Sequence, residues 1–413
     1  MKVLFVNNVY RRGSTGRIVY DIHVSLQKRG IESVVCYGRG RHVEEDNVHK
    51  YCLEIEAKIH SLFMRFGMTL QYGGLFFATK RLCGIINKES PDVVHLHCLN
   101  GSCVNVFLLL RFLANKKCLT VVTNHAEFYY TGSCGHAYDC IKWTSKHGCG
   151  RCPRLNESTC SRLFDNTGLA WKRMKRAFSL FSKENLVFTA VSPWVLDRSK
   201  LSPIVNSFNC VTVPNGLDTT VFYYRRIIRT KRIINVSKNK SLVYFPVASF
   251  IPVDRNDNKG GYYLVEIAKR LPDILFIVSA LYQRIDINLP SNVLIWGGVT
   301  SSDEMAELYS VSSATLVLSR RETYSMTCAE SLCCGTPVVG FKAGGPETIA
   351  IPDYSCFVDY GDVTGIMSSL LTCIERKTNK ETVSERALPL YSKERMIDSY
   401  CDVYSSHIKK SHS

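Results

Sequence analysis

Ser319-Arg320-Arg321-Glu322-Thr323-Tyr324-Ser325-Met326-Thr327-Cys328-Ala329-Glu330-Ser331-Leu332-Cys333-Cys334-Gly335-Thr336-Pro337-Val338-Val339 is the stretch on which the reading of this chain turns. The apolar run Ala314–Leu318 before it reads as a strand. A polar loop follows, then a helix over Ser325–Cys334 that Gly335 and Pro337 stop, then a strand over Val338–Phe341. Glu322 falls in the loop and Glu330 in the helix, carried roughly 7 Å along the axis from Ser325. The two carboxylates can thus address different parts of one extended ligand. Between them the helix N-terminus at Ser325, Met326 and Thr327 offers backbone N–H groups and the positive end of a dipole, suited to a diphosphate. As a lone pair the glutamates would read as solvated surface residues. Their surroundings give them a function.

Downstream, Ala343-Gly344-Gly345-Pro346-Glu347 follows the second strand. Adjacent glycines let the backbone approach a ligand closely, so Gly344 and Gly345 are candidates to line a sugar or phosphate; an ordinary turn is the alternative. Upstream, Leu242–Ala248, Ile274–Ala280 and Val293–Trp296 read as strands, with helices at about Gly260–Leu271 and Ser302–Val311. Ser301 with Glu304 reads as a capping box. Lys259 stands where the Gly260 helix opens, and an ammonium there can neutralise a departing diphosphate. Helical periodicity returns from about Asp362 to Arg376 and from Lys393 onward.

The first half of the chain repeats the plan. Val3–Asn7, Ser33–Tyr37, Asp92–His97, Leu119–His125, Leu186–Val191 and Cys210–Val213 read as strands, with helices at about Arg17–Arg29 and Val104–Asn115. Gly13-Ser14-Thr15-Gly16 lies between the first strand and helix. It is not the full Gly-x-Gly-x-x-Gly, so no nicotinamide cofactor is expected. His125 closes its strand, where a polar residue of a doubly wound domain points toward the ligand. His95 and His97 read equally as core histidines. The class is therefore α/β: two Rossmann-like doubly wound domains, 1–216 and 242–392, facing a central cleft. The stretch 217–241, rich in Arg, Lys and Ser, reads as a linker, and 393–413 as a helix that crosses back to the first domain.

Bulk composition agrees with two folded domains. The 413 residues are 46% hydrophobic and 21% charged, with 52 Lys and Arg against 36 Asp and Glu and a formal charge of +16. The cations are dispersed and lack aromatic interleaving. That favours phosphate-bearing small molecules or an anionic membrane surface over nucleic acid. No signal-peptide core and no window of about 18 apolar residues is seen, so a cytoplasmic location, with the 18 cysteines mostly reduced, is expected.

The central stretch resembles glycosyltransferase family 4, whose pattern sets two glutamates around seven residues before a Gly-x-Pro-Val-type tail. Glu322, Glu330 and Gly335-Thr336-Pro337-Val338 match it. The resemblance implies a GT-B fold and a retaining transferase that needs no metal at the diphosphate. It also implies that Glu322 contacts the donor sugar and Glu330 the ribose hydroxyls. The family carries an Arg a few residues before the Lys; Arg255 is the nearest, without the usual Gly-Arg dipeptide. Gly13 and Gly16 match its glycine loop near the donor phosphates. His125 matches a position often written His-Asp, here His125-Ala126-Glu127. Gly13–Val19 and Val94-His95-Leu96-His97 further resemble a subgroup that builds bacterial capsular and exopolysaccharides. That implies a nucleotide-diphosphate sugar donor and a saccharide or lipid-linked acceptor at the inner membrane surface.

Two other features stay outside that pattern. Cys134, Cys140, Cys149 and Cys152 crowd into the loop 131–153, and the Cys-x-x-Cys pair suggests a structural zinc, with buried thiols as the alternative. Two rival functions also remain: a nucleotide-sugar epimerase of the same fold, which would turn over donor without acceptor, and a nucleic-acid-binding protein.

Overall fold

The computed structural model describes residues 1–159, 161, 163–236, 241–299 and 301–411. The chain divides into two compact units, Met1–Pro214 with Ile397–Ser413, and Asn215–Met396.

The first unit runs β1 (Lys2–Asn7), α1 (Gly13–Lys28), β2 (Glu32–Tyr37), β3 (Val48–Lys50), α2 (Glu54–Arg65), α3 (Phe76–Glu89), β4 (Val93–Leu96), α4 (Val106–Ala114), β5 (Leu119–Asn124), α5 (Leu155–Thr159), α6 (Thr167–Phe178), β6 (Leu186–Ala190), α7 (Pro193–Lys200) and β7 (Asn209–Thr212). Its sheet has the order β3-β2-β1-β4-β5-β6-β7, with every pairing parallel. Val3, Leu4, Phe5 and Val6 are all fully buried, as a strand covered on both faces requires.

The second unit runs α8 (Lys231–Val236), β8 (Ser241–Phe250), α9 (Gly261–Arg270), β9 (Ile274–Gln283), β10 (Val293–Gly297), α10 (Ser302–Val311), β11 (Ala314–Val317), α11 (Met326–Cys333), β12 (Val338–Phe341), α12 (Gly345–Ile349), β13 (Ser355–Val358), α13 (Val363–Glu375), α14 (Lys380–Tyr391) and α15 (Lys393–Ser411). Its order is β10-β9-β8-β11-β12-β13, again all parallel. From Ile397 onward, α15 belongs to the first unit. There Tyr404 hydrogen-bonds His95 (2.7 Å) and Tyr400 hydrogen-bonds Thr123 (3.2 Å).

In each sheet the winding reverses once, between β1 and β4 in the first and between β8 and β11 in the second. Adjacent loops diverge at such a point, and the carboxyl ends of the strands there open a crevice for ligand.

Three expectations are corrected. Helix α1 begins at Gly13, so the glycine motif forms its first turns and the loop is only residues 8–12. The stretch 217–236 is structured within the second unit. Glu307 accepts hydrogen bonds from the Arg229 and Thr230 amides (3.0 and 3.1 Å), and the Arg232 guanidinium lies 3.8 Å from the Trp296 ring centroid. The Arg232 side chain thus serves packing in a stretch that the sequence reads as a linker; residues 237–240, like 412–413, lie outside the described residues. The capping box on α10 is half made. Ser301 Oγ accepts from the Glu304 amide at 3.4 Å, while the Glu304 carboxylate takes the Trp296 indole N–H at 2.9 Å. Among the described residues no helix is long and apolar enough to cross a membrane.

Candidate active site

In the second unit the loops leaving β8 and β11 are fastened together. Asn258 does this: its carbonyl accepts from the Arg320 amide (2.8 Å), its Oδ1 from the Arg321 amide (3.2 Å), and its Nδ2 donates to the Arg321 carbonyl (3.1 Å). Gly260, at φ +76°, sits so close to Leu318 that a Cβ would lie 2.3 Å from its carbonyl oxygen. This clasp sets Lys259 against Glu322. Lys259 Nζ donates to Glu322 Oε1 at 2.5 Å, and Ser319 Oγ donates to the same oxygen at 2.9 Å. The two side chains keep 30% and 21% exposure, enough to meet a ligand.

The Gly344–Gly345 turn is stitched onto the same loop. The Glu322 amide donates to the Ala343 carbonyl (3.1 Å) and the Gly345 amide to the Glu322 carbonyl (2.8 Å). Glu347 holds the turn from behind, accepting from the Ala343 and Gly344 amides at 3.0 and 2.8 Å. Only glycine fits: Gly344 has φ +114°, and a Cβ on Gly345 would stand 2.4 Å from the Thr323 carbonyl carbon.

Helix α11 opens beside this turn. Its cap, Ser325, adopts φ +80°, rare for a residue with a Cβ, and its Oγ accepts from the Cys328 amide at 3.3 Å. The amides of Met326 and Thr327 stand in the first turn, where no intrahelical acceptor exists. One and a half turns on, Glu330 Oε2 accepts from Tyr309 at 2.9 Å. Burial, and the Glu330 charge after it, hold that phenol well above its usual range, so it stays a donor. Lys259, Glu322, Ser325, Met326, Thr327, Gly344, Gly345 and Glu330 thus line one stretch of the second unit. Arg255 is exposed, with its guanidinium 6.0 Å from the Tyr262 ring centroid. Sequence reading missed Asn258, Ser319 and Tyr309. Only their partners mark them, and those are distant in sequence.

In the first unit, Gly13 (φ +63°) starts α1 and Gly16 is buried against Val9, whose carbonyl oxygen would be 3.2 Å from a Cβ. His125 stacks on His97 (centroids 5.2 Å, 24° between planes), and its Nε2 shares a hydrogen bond with His97 Nδ1 at 2.9 Å. His95 is held by Tyr404 and Thr123. Burial holds His125 down to about 4 and His95 and His97 well below their usual range, so all three are neutral at pH 7. Around them are buried polar atoms with no protein partner: Asn8 Oδ1, His97 Nε2 and both polar atoms of the Asn124 side chain. These sit just past or at the carboxyl ends of β1, β4 and β5, and orphaned buried polar atoms at that edge are the mark of a polar ligand. The acid after His125 serves the fold. Glu127, fully buried, accepts from Arg198 Nε (2.7 Å) and the Ala137 amide (2.6 Å).

The cysteine loop brings its four thiols near one another, Cys149 interacting with Cys134, Cys140 and Cys152. Cys134, Cys140, Cys149 and Cys152 are unbridged, and among the described residues no group of three or more His, Cys, Asp or Glu could hold a metal ion. Cys149 Sγ accepts from the Gly132 amide (3.2 Å), and Cys152 Sγ meets Ser158 Oγ (3.4 Å). Burial pushes the Cys134 and Cys149 thiols up to about 11 and about 12.

The chain is similar to known proteins. A family model described as Glycosyltransferase Family 4 matches residues 15–221, and one described as Glycosyl transferases group 1 matches 254–376. WcaC of Escherichia coli (strain K12), designated a colanic acid biosynthesis glycosyl transferase, is 22% identical over 425 aligned positions, covering 98% of this chain and 100% of that protein. N-acetyl-alpha-D-glucosaminyl L-malate synthase of Bacillus anthracis is 23% identical over 207 residues; the match takes in 47% of this chain and 52%, about half, of the synthase. The crystal structure of Anabaena Alr3699/HepE in complex with UDP-glucose superposes with a TM-score of 0.64 at 14% identity, over 98% of this chain and 100% of that one. The fold is GT-B, two parallel sheets with flanking helices.

Proposed function

Since the chain belongs to glycosyltransferase family 4, we propose that it is a retaining enzyme of surface polysaccharide biosynthesis. It moves a hexosyl or N-acetylhexosaminyl unit from a nucleoside-diphosphate sugar to a saccharide or lipid-linked saccharide. The observation that carries this reading is the Lys259–Glu322 pair, set at the winding reversal of the second sheet beside the start of α11. A carboxylate that accepts several hydrogen bonds suits sugar hydroxyls, and an ammonium one bond away suits a phosphate oxygen. The alignment with WcaC over nearly the whole chain supports the polysaccharide assignment, and HepE, of the same fold, binds UDP-glucose.

In the proposed step the bond between the sugar C1 and the diphosphate oxygen breaks with its electron pair on the diphosphate. Lys259 and the Met326 and Thr327 amides stabilise that charge as it develops. The acceptor hydroxyl oxygen bonds C1 on the face the diphosphate leaves, and its proton passes to the leaving phosphate oxygen. Glu330, oriented by Tyr309, holds the ribose hydroxyls. The buried histidines and orphaned amides of the first unit receive the acceptor. No metal is required by this scheme.

The test is a thermal-shift screen against UDP-, GDP-, ADP- and dTDP-sugars, followed by NMR of the product formed from the donor that stabilises. One nucleotide should raise the melting temperature, by an amount equivalent to about 2.7 kcal/mol at 100 times its dissociation constant. The new linkage should keep the donor's anomeric configuration. Inversion at C1 would overturn the retaining reading, and turnover of donor without acceptor would favour an epimerase.

A further inference from the structure

The second unit turns one cation inward without a counter-ion. Lys380 is half-buried at the start of α14. Its Nζ donates to the Ser310 carbonyl (2.6 Å), to the Ser312 carbonyl and to Thr336 Oγ1 (3.4 Å), all three on buried residues. These partners take up its three protons, and among the described residues no carboxylate shares them. Drawing an ammonium out of water to neutral oxygens alone is costly, so what it holds in place matters.

The oxygens it binds end the two helices that carry Tyr309 and Glu330. Ser312 is the C-cap of α10, and an ammonium there meets the last carbonyls and the negative end of the helix dipole. From the last full turn of α10, Tyr309 donates to Glu330 (2.9 Å). Thr336 follows the end of α11, and its Oγ1 donates to the Tyr309 carbonyl at 2.5 Å. Ser331, next to Glu330, donates to the Thr336 carbonyl at 2.8 Å. Gly335 lets α14 come this close: at φ +80°, a Cβ there would stand 2.4 Å from the Lys380 carbonyl oxygen.

We infer that Lys380 is a positioning residue for nucleotide binding: while charged it holds the ends of α10 and α11 so that Tyr309 keeps Glu330 aimed at the ribose, and on losing its proton it lets that pair loosen. The inference rests on the reading of Glu330 as the ribose contact. Burial lowers the ammonium to about 8. A neutral amine has two N–H donors for three oxygens and turns its lone pair toward one of them. The neighbouring thiols do not titrate in its place: burial holds Cys334 well above its usual range and Cys373 up to about 11. Of the charged groups nearby, Arg225 is paired with Asp303, and Glu381 with Arg226.

The test is calorimetric titration of the full chain with UDP, GDP, ADP and dTDP at pH 7 and pH 9, continued with the one that binds tightest. The wild-type Kd should rise by about three- to tenfold between the two pH values, the larger figure being the whole effect of the Glu330 bond. Binding near pH 8 should take up protons, read from the dependence of its enthalpy on the buffer. Thr336→Val leaves Lys380 in place and cuts its link to Tyr309; its Kd should already be raised at pH 7 and change little by pH 9. Thr336→Ser keeps the hydroxyl and should bind as wild type does. Lys380→Met should match the wild type at pH 9 under both conditions, and Lys380→Arg, whose charge does not titrate, should keep its pH 7 affinity at pH 9. Ionisation of the base is common to all variants and cancels between them. A merely structural role would lower melting temperatures and leave every variant with the wild-type pH profile, which would overturn the inference. Where Lys380→Met does not fold, the two Thr336 variants decide. Glu330→Ala is titrated alongside. If it binds as wild type does, the ribose reading fails and the inference with it; if it weakens binding while the Lys380 and Thr336 variants do not, the inference alone fails.

Discussion

Lys259 and Glu322 are bonded at 2.5 Å, so each orients the other, and the two ought to fail differently when changed. Lys259→Ala removes the charge that meets the leaving diphosphate. It should lower kcat by about 10²- to 10³-fold, the cost of losing one preorganised electrostatic group. Glu322→Gln keeps the shape of the side chain and should lower turnover while nucleotide affinity stays within a few fold. Glu330→Ala should do the reverse, raising the nucleotide Kd by about tenfold or more, because a charged hydrogen bond to ribose contributes about 1.5–3 kcal/mol. Kinetics and calorimetry on the three variants check this; wild-type rates in both glutamate variants would remove the site from this loop. At this scale the sequence is legible where chemistry and spacing coincide. Glu322, Glu330 and Lys259 could be read directly. Tyr309 could not, because a tyrosine in a helix announces nothing until the fold brings Glu330 to its hydroxyl.

Helix α11 depends on a cap in an uncommon conformation. At φ +80°, Ser325 combines a favourable hydrogen bond to the Cys328 amide with backbone strain. The two contributions separate on substitution. Ser325→Ala keeps the strain and loses the bond, and should destabilise by about 1 kcal/mol. Ser325→Gly loses the bond but relaxes the backbone, and should be neutral or stabilising by up to about 1 kcal/mol. Urea denaturation monitored by fluorescence orders them; a glycine variant less stable than the alanine one would show that the strain is not real. The strands over Val338–Phe341 and the helix over Ser302–Val311 were legible to the residue, since apolar runs between turn signals mark them. Helix α2 escaped notice because an apolar outer face blurs the 3.6-residue period on which such reading rests. The glycine motif was misplaced by one turn, because Gly13 can open a helix as readily as a loop.

The whole molecule should respond to acid through its histidines. The unfolded chain holds His125 near 6.5, whereas burial holds it at about 4 in the folded state, and His95 and His97 lie well below their usual range. Between those values the unfolded chain binds more protons, so stability rises with pH there. The contribution is complete above about pH 6.5 and is lost as the pH falls toward about 4. From His125 alone it is about 3 kcal/mol. Calorimetric melting at pH 7 and pH 5 should show the loss, and a melting temperature flat across that range would contradict it. The existence of two α/β units was evident from the alternation of strand and helix. The allocation of 217–241 to the second unit was not, since arginines that cap a carboxylate or stack on an indole look in sequence like arginines in water.

The origin of Tyr400 and Tyr404 bears on how such a molecule is made. They bond Thr123 and His95 in the first unit, yet the ribosome delivers them only after all of Asn215–Met396. During synthesis the earlier sheet therefore waits, its histidine-bearing face uncovered, while the later one is made and can close by itself. Chaperone capture of nascent chains should peak in that interval, and chains arrested near Met396 should expose the face that finished chains hide.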